Sequence, residues 1–312
     1  MVQSVECSCQ PRASHAMRMI TLGAVVIPFL GFAAAVVLAW GISMNWVHLG
    51  LLAGLYLLTG FGVTVGFHRY FTHRSFSTTR PVQWTLAVLG SMAVQGPLLK
   101  WVAQHRKHHQ YSDHENDPHS PNLYGRRWWQ MLHGLWHAHM GWMFEPDAED
   151  LPRYAGDMAK RRDLRVISRL FVLWVALGML LPAVLGGVLT WSWTGVLLGF
   201  LWGGLARIFL LHHVTWSINS ICHLWGTRPF RADDDSRNNA LFGVLGMGEG
   251  WHNNHHAFPT SARHGLRWWE IDGSYLAIRL LALLRLAWDI KTPDRQALAD
   301  RSRPPRSPAA FA

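Results

Sequence analysis

The chain has 312 residues, is 50% hydrophobic but only 15% charged, and carries a net charge of +10. A soluble domain has about 25% charged residues, so this composition excludes an ordinary soluble protein and directs the positive charge to a membrane surface or an acidic ligand, not to nucleic acid. Three cysteines without a Cys-x-x-Cys pair exclude zinc-ribbon and iron–sulfur frameworks.

Residues 1–18 form a polar N-terminal segment expected in the cytosol. Its Cys7 and Cys9, like the distant Cys222, read as free thiols of a reducing compartment. From Met19 to Phe67 there is no Lys, Arg, Asp or Glu. The stretch divides at Gly41-Ile42-Ser43-Met44-Asn45 into Met19–Trp40 and Trp46–Phe67, and about 20 apolar residues suffice to cross a bilayer as a helix. Residues 19–67 are therefore expected to be a first transmembrane hairpin. Its first span is too long for a signal peptide, and a second follows at once.

Residues 68–168 are expected to be cytosolic. Within them Val82–Leu99, apolar but interrupted by Gln83, Ser91, Gln95 and Pro97, reads as one helix lying in the inner interface. A second charge-free stretch, Leu170–Ala206, divides near Thr190–Gly195 and predicts a second hairpin over 169–211. Residues 212–290 return to the cytosol. There Tyr275–Ile290, broken by Arg279 and Arg285, reads as an amphipathic surface helix. The tail, 291–312, is Pro-, Arg- and Ala-rich from Pro293 and is expected to be disordered. Every Lys and Arg outside the spans lies away from the two short turns, which places both termini and the polar regions in the cytoplasm. Trp40, Trp46, Trp191 and Trp193 match an aromatic belt on the other side.

Histidine is the outlier, with 19 residues that are clustered. His68 and His73 follow the second span. His105, His108 and His109 form one HxxHH element, and His252, His255 and His256 another. Asn219 and His223 lie just past the fourth span. Residues i, i+3 and i+4 of a helix share a face, so each HxxHH triplet can point one way. The five-residue spacing of His68 and His73 suits a helix end where the chain bends. Imidazole ligands favour zinc, copper, iron or nickel over magnesium or calcium. One zinc is satisfied by four ligands, so nine imidazoles argue for two metals with four or five each. The expected fold class is all-α and integral to the membrane: four transmembrane helices in two hairpins, with a cytosolic helical cap carrying a histidine-rich di-metal site.

These residues resemble the membrane fatty acid desaturase family, of the acyl-CoA (stearoyl-CoA, delta-9) type. The resemblance runs from about Leu55 to Ile290 and includes GFHRYFTHRSF, WVAQHRKHHQYSD, DPHS, HMGWMF, NSICHLWGTRPF and GEGWHNNHHAFP. It implies an oxidoreductase that inserts a cis double bond into a long-chain fatty acyl-CoA, using O2 and two iron ions. The implied iron ligands are His68, His73, His105, His108, His109, His223, His252, His255 and His256, with Asn219 reaching one iron through water. Gln104 departs from the family, in which many members have an acidic residue there. Asp113, Asp117 and Glu249 are candidates to orient imidazoles, as are His119 and His139. His212 and His213 are expected at the membrane interface, and His48 and His264 receive no role.

An acidic head group needs cations. Arg126 and Arg127 are the leading candidates, with Lys100, Arg106, Arg161 and Arg162 behind them. The i−4n row above His68 reads Thr64, Gly60, Tyr56, Leu52. It marks Gly60, Tyr56 and Leu52, together with Trp101, as candidate contacts for the acyl tail, with Tyr56 or Leu52 limiting its length. No nucleotide, flavin or haem motif is present, which implies a separate electron donor and reductase. Two rival readings stay open: a membrane di-iron hydroxylase of alkanes or lipids, which shares such ligands, and a metal transporter or sensor, which should line an intramembrane path with polar residues.

Overall fold

A computed structural model describes residues 14–41, 45–125, 127–145 and 150–303. Cys7, Cys9, the turn at 42–44, the Trp40 side chain, Arg126 and the tail beyond 303 lie outside the described residues. Four helical stretches are long and apolar enough to cross a membrane: His15–Leu38, Trp46–Thr72, Phe171–Thr190 and Trp193–His223.

The first helix, α1, runs His15–Gly41 and so begins before the expected Met19. It packs chiefly on the fourth stretch and not on its sequence partner. Phe32 stacks on Phe209 at 4.7 Å, and Leu205 fills the space beside Gly31. Much of α1 and of α8 (Phe171–Thr190) remains exposed as Ile, Leu, Val and Phe, among them Ile27, Val37, Val172 and Val188. Exposed apolar area on that scale belongs in lipid. Trp46, Trp191 and Trp193 stand exposed at helix ends, where an aromatic belt would sit.

α2 (Trp46–Phe61) starts with a capping box. The Asn45 side chain accepts from the Val47 and His48 amides, and His48 Nδ1 accepts from the Asn45 amide. His48 is thus a structural cap. Beyond Phe61 the helix does not stop at Phe67 but continues to Thr72 as a π-helix, Gly62–Thr72. There the ladder is i to i+5: the His73 amide donates to the His68 carbonyl at 3.1 Å, and the Thr72 side-chain hydroxyl also donates to the Phe67 carbonyl, at 2.8 Å. Two glycines let this segment dock. A Cβ on Gly62 would meet the Gly90 backbone nitrogen at 2.1 Å, so the backbone of α3 (Arg80–Ser91) lies directly against it.

The expected single helix over 82–99 is instead α3, a turn with Val94 and Gly96 at positive φ, and α4 (Leu98–Tyr111). Twelve residues of helix reach only about 18 Å, so α3 cannot cross. α5 (Trp128–His139), α6 (Leu151–Ala159) and α7 (Arg162–Arg169) precede α8. The fourth stretch comprises α9 (Trp193–Gly199), a second π segment (Phe200–Ala206), α10 (Arg207–Ser220) and a short turn to His223. It therefore passes well beyond the expected limit at 211. His212 lies inside this helix, buried and bonded to the Ala93 and Val94 carbonyls.

α11 (Ala240–Leu245) and α12 (His252–Ala257) follow. The surface helix expected to run to Ile290 is shorter, α13 (Gly273–Leu283). The chain then turns through Arg285 at positive φ into β2 (Ala287–Trp288), antiparallel to β1 (Ser77–Thr78). The tail is ordered to residue 303: α14 (Arg295–Arg301) follows, and the Arg303 amide bonds the Pro229 carbonyl. α4 and α13 pack on the first π segment, and α5 and α11 on α10. The polar elements thus gather at the ends of the second and fourth stretches.

Inside the bundle, Arg207 is fully buried. Its guanidinium donates to the carbonyls of Gly203, Met92 and Gly178 and to Thr59 Oγ1, at 2.9–3.1 Å. One planar fork thereby ties α2, the turn after α3, α8 and α10 together. Arg207→Met should lower the thermal midpoint of the detergent-solubilised protein clearly, since each orphaned buried acceptor costs about 1–3 kcal/mol. Arg207→Lys should recover only part of the loss, because an ammonium cannot span that fork; an unchanged midpoint in the Met variant would refute the tie.

Candidate metal centre

Each histidine arrives by a local rule. In the π segment the wider turn, with bonds from i to i+5, brings His68 and His73 toward one side, their ring centroids 4.8 Å apart. The sequence spacing alone suggested a bend; the π geometry is what supplies the shared face. On α4 and α12 the two HxxHH elements do not point one way. His105 and His109, at i and i+4, join His68, His73 and His255 in one set. His108 joins His223, His252 and His256 in the other, where His252 and His256 are again i and i+4. The middle histidine of each triplet crosses to the neighbouring set. Within each set the ligand atoms lie within 4.8 Å of one another.

The nitrogen-to-nitrogen contacts show what these sets can hold. His68 Nε2 stands 3.0 Å from His255 Nε2, which is 2.9 Å from His109 Nε2, itself 3.1 Å from His105 Nε2. In the other set His223 Nε2 is 3.0 Å from His252 Nε2, and the buried His256 Nε2 has no hydrogen-bond partner. Four rings have Nδ1 on a carboxylate. His108 meets Asp117 at 2.9 Å, His223 meets Asp113 at 2.8 Å, His256 meets Asp234 at 2.6 Å, and His68 meets Glu249. A neutral imidazole carries one proton. With it on Nδ1, Nε2 of these rings is a bare lone pair turned inward. Nitrogens about 3.0–3.4 Å apart are what a metal with nitrogen ligands at about 2.0–2.1 Å requires. The donor set therefore fits two transition-metal ions, five imidazoles to one and four to the other.

The carboxylates hold this arrangement. Burial opposes their ionisation, yet His223 and bonds from Ser120 and Asn122 hold the Asp113 carboxyl far below the usual range. His108 does the same for Asp117 and His256 for Asp234, and His68 with Arg69 lowers Glu249. Burial, followed by neighbouring rings, pushes His73, His105, His109, His252 and His255 well below their ordinary value, so they stay neutral and able to donate a lone pair. Arg69, fully buried, binds Glu249, Asp272 and the Thr64 and Ala262 carbonyls, locking the π segment to the loops that carry the other ligands.

Asp113, Asp117 and Glu249 stand where the sequence suggested. Asp234 was missed: in an Asp-Asp-Asp run it looks like a solvated loop. His264 was missed too. Its buried ring packs on His255 at 4.4 Å and on His68 at 5.3 Å, with neither nitrogen hydrogen-bonded. A lone histidine has no spacing to reveal it. His119 lies against His108 at 4.3 Å, whereas His139 bonds Ser220 and His213.

A small, partly open cavity of about 50 Å³ abuts the histidines. His68, His105, His252, Glu249 and Asn219 form one end; Val63, Thr64, Trp101, Leu211, Val214 and Met247 form its apolar walls. Trp101 stacks on His105 at 5.0 Å, and Gln95 bridges Trp101 to Thr215. Tyr56 is not on the wall; it packs against Val63, Ala93, Leu211 and Met247, its hydroxyl donating to the Leu245 carbonyl at 2.9 Å. Leu52 is not on the wall but packs against the cluster of Ala35, Leu201 and Trp202. Among the cationic candidates, Arg106 is engaged by Asp157 and the Phe71 and Tyr154 carbonyls, and Arg161 by Asp163. Arg127 caps α5 with its guanidinium over Trp129.

The family model named Fatty acid desaturase matches residues 43–273, well over half the chain and all nine clustered histidines. The chain belongs to the fatty acid desaturase family. It is 45% identical over 270 residues to the hex-5-enoyl-[acyl-carrier protein] acetylenase of Moorena producens, covering 86% of this chain and 84% of that one. It is 40% identical over 258 residues to the sn-1 stearoyl-lipid 9-desaturase of Anabaena variabilis, covering 81% and 88%. It is 40% identical over 256 residues to the acyl-CoA C20 Delta5-desaturase of Anemone leveillei, covering 80% and 76%. This desaturase is thus an oxidoreductase with membrane helices and histidine sets able to hold metal.

Buried neutral imidazoles also make a pH signature. Unfolded histidine titrates near 6.5, while these rings resist protonation when folded. Below about pH 6.5 the unfolded state binds more protons, so stability is full above that value and falls as pH decreases. Denaturant midpoints of the metal-free protein should therefore drop steadily from pH 7 to pH 5. A flat profile would show the rings to be hydrated or already charged.

Proposed function

We propose that this desaturase uses O2 and two iron ions to insert a cis double bond into a long-chain fatty acyl substrate. One iron is assigned to His68, His73, His105, His109 and His255. The other is assigned to His108, His223, His252 and His256, with Asn219 reaching one of them through water. The observation that carries this reading is the set of inward lone pairs bordering an apolar cavity. Bound iron would activate O2, which, with two electrons and two protons added, takes two hydrogens from adjacent unactivated methylenes and leaves as two waters, chemistry no side chain provides.

The chain's own residues do the rest. Asp113, Asp117, Asp234 and Glu249 fix ring orientation and keep the protons on Nδ1. Trp101, Val63 and Leu211 give an alkyl chain an apolar path past the histidines and exclude water from it. Gln95 and Thr215 brace Trp101, fixing which carbons pass closest to the sets. The polar end of the substrate, the termini and the site are assigned to the cytoplasmic side, with electrons from a separate donor and reductase.

The acyl carrier is read first as CoA and the bond as delta-9, with Arg126 and Arg127 nearest in character to a phosphate site. A second reading, a lipid-borne acyl chain, is favoured by the engagement of Arg106 and Arg161 in internal ion pairs. It is favoured also by the exposed Trp128, Trp129 and Trp136 beside Arg127, which suit a bilayer surface. Relatives named as acyl-CoA and stearoyl-lipid desaturases support one reading each, and the acyl-carrier-protein acetylenase supports neither.

Expression in a desaturase-deficient host with fatty-acid profiling should give an acyl product two hydrogens lighter than its precursor. A product gaining one oxygen would make the chain a hydroxylase instead. Asp234→Asn should weaken iron retention about 10–100-fold against a chelator, as loss of a ligand-orienting carboxylate does; undiminished retention would remove Asp234 from the site.

A further inference from the structure

Met247 occupies an unusual position. It belongs to the Gly246–Gly250 loop before α12, yet its side chain is buried in the membrane bundle among Val63, Ala93 and Leu211. Its backbone is held at φ +55°, in the left-handed region that a non-glycine residue adopts only where its surroundings impose it. The surroundings are evident: the Met247 amide donates to the Val244 carbonyl, and its own carbonyl accepts from the Ser274 amide. The side chain then lines the cavity and reaches the α2 backbone. A Cβ on Gly60 would lie 2.2 Å from Met247 Cε and 3.2 Å from Sδ.

In the π segment the cavity wall includes Thr64, but four residues back, in α2, Gly60 is covered by the Met247 methyl group. Tyr56 lies beyond it. The alkyl path past His68 is therefore interrupted eight residues on, at Gly60. The obstacle comes from the polar loop and not from the span. Resting on the desaturase reading above, we infer that Met247 is the plug that sets how many carbons extend beyond the reacting ones, and that Gly60 is the socket that receives it. An unbranched thioether suits the role, being flexible and fully apolar.

The test is acyl-chain profiling of wild type, Met247→Ala, Gly60→Ala and the double variant in the desaturase-deficient host, with protein amount measured in each. Met247→Ala opens the path toward Tyr56 and should raise the ratio of longer to shorter unsaturated products by roughly tenfold, the low end of what an apolar pocket gives for one methylene. Gly60→Ala displaces only the flexible end of Met247, forcing it into the cavity, and should shift the ratio the opposite way. The double variant should return toward wild type. Should Met247→Ala fail to accumulate, Met247→Val carries the same prediction. Equal loss across all chain lengths, or an unchanged profile, would overturn the plug and leave a packing residue. A wild type that desaturates while the variants keep its profile defeats only the plug; a wild type making no unsaturated product defeats the functional reading as well.

Discussion

Buried imidazoles with their lone pairs turned toward one another repel, and only positive charge placed between them removes the repulsion. The rest of this molecule can be understood as the structure needed to hold such an arrangement together. Carboxylates on Nδ1 fix each proton on the outer side of its ring. Arg69 neutralises Glu249 and Asp272 and ties the π segment to both loops. Burial keeps most of the remaining rings neutral, at the cost of stability in acid.

Spans and site are joined through irregular helix. An α-helical continuation of α2 would place His68 and His73 far apart around the axis, and only the π-helix returns the fifth residue to the same side. The fourth stretch, which also contains a π segment, carries Arg207 to the four-way tie and His223 to the centre. The membrane part is thus the frame that fixes the angle at which ligands leave two helices, as well as an anchor in lipid. The cavity continues the same logic. Its polar end is lined by histidines and its walls by the long apolar stretches, and Met247 of the Gly246–Gly250 loop reaches across to Gly60.

What the sequence revealed follows from periodicity and composition. Charge-free runs long enough to cross a bilayer located the four spans, because lipid tolerates few charges. The HxxHH elements located the two histidine sets able to hold metal, because few other reasons exist to repeat imidazole at helical spacing. Carboxylates near those motifs, Asp113, Asp117 and Glu249, were legible; Asp234 was not, since a run of aspartates in a loop has the same appearance whether or not one side chain turns inward. The expected helices over 82–99 and 275–290 failed for a related reason. Hydrophobicity does not register a positive-φ turn such as Val94–Gly96 or Arg285.

The amino-acid sequence by itself determined the membrane class, the family and the nine histidines, all of which depend on residue type and local spacing. Tertiary structure alone decided how those histidines divide into five and four, with His108 and His255 crossing to opposite sets from their neighbours. It alone brought Asp234 and His264 to the centre and Met247 to Gly60. Such pairings depend on the direction in which a side chain leaves its backbone and on which distant element stands there, and neither is encoded in spacing along a single segment.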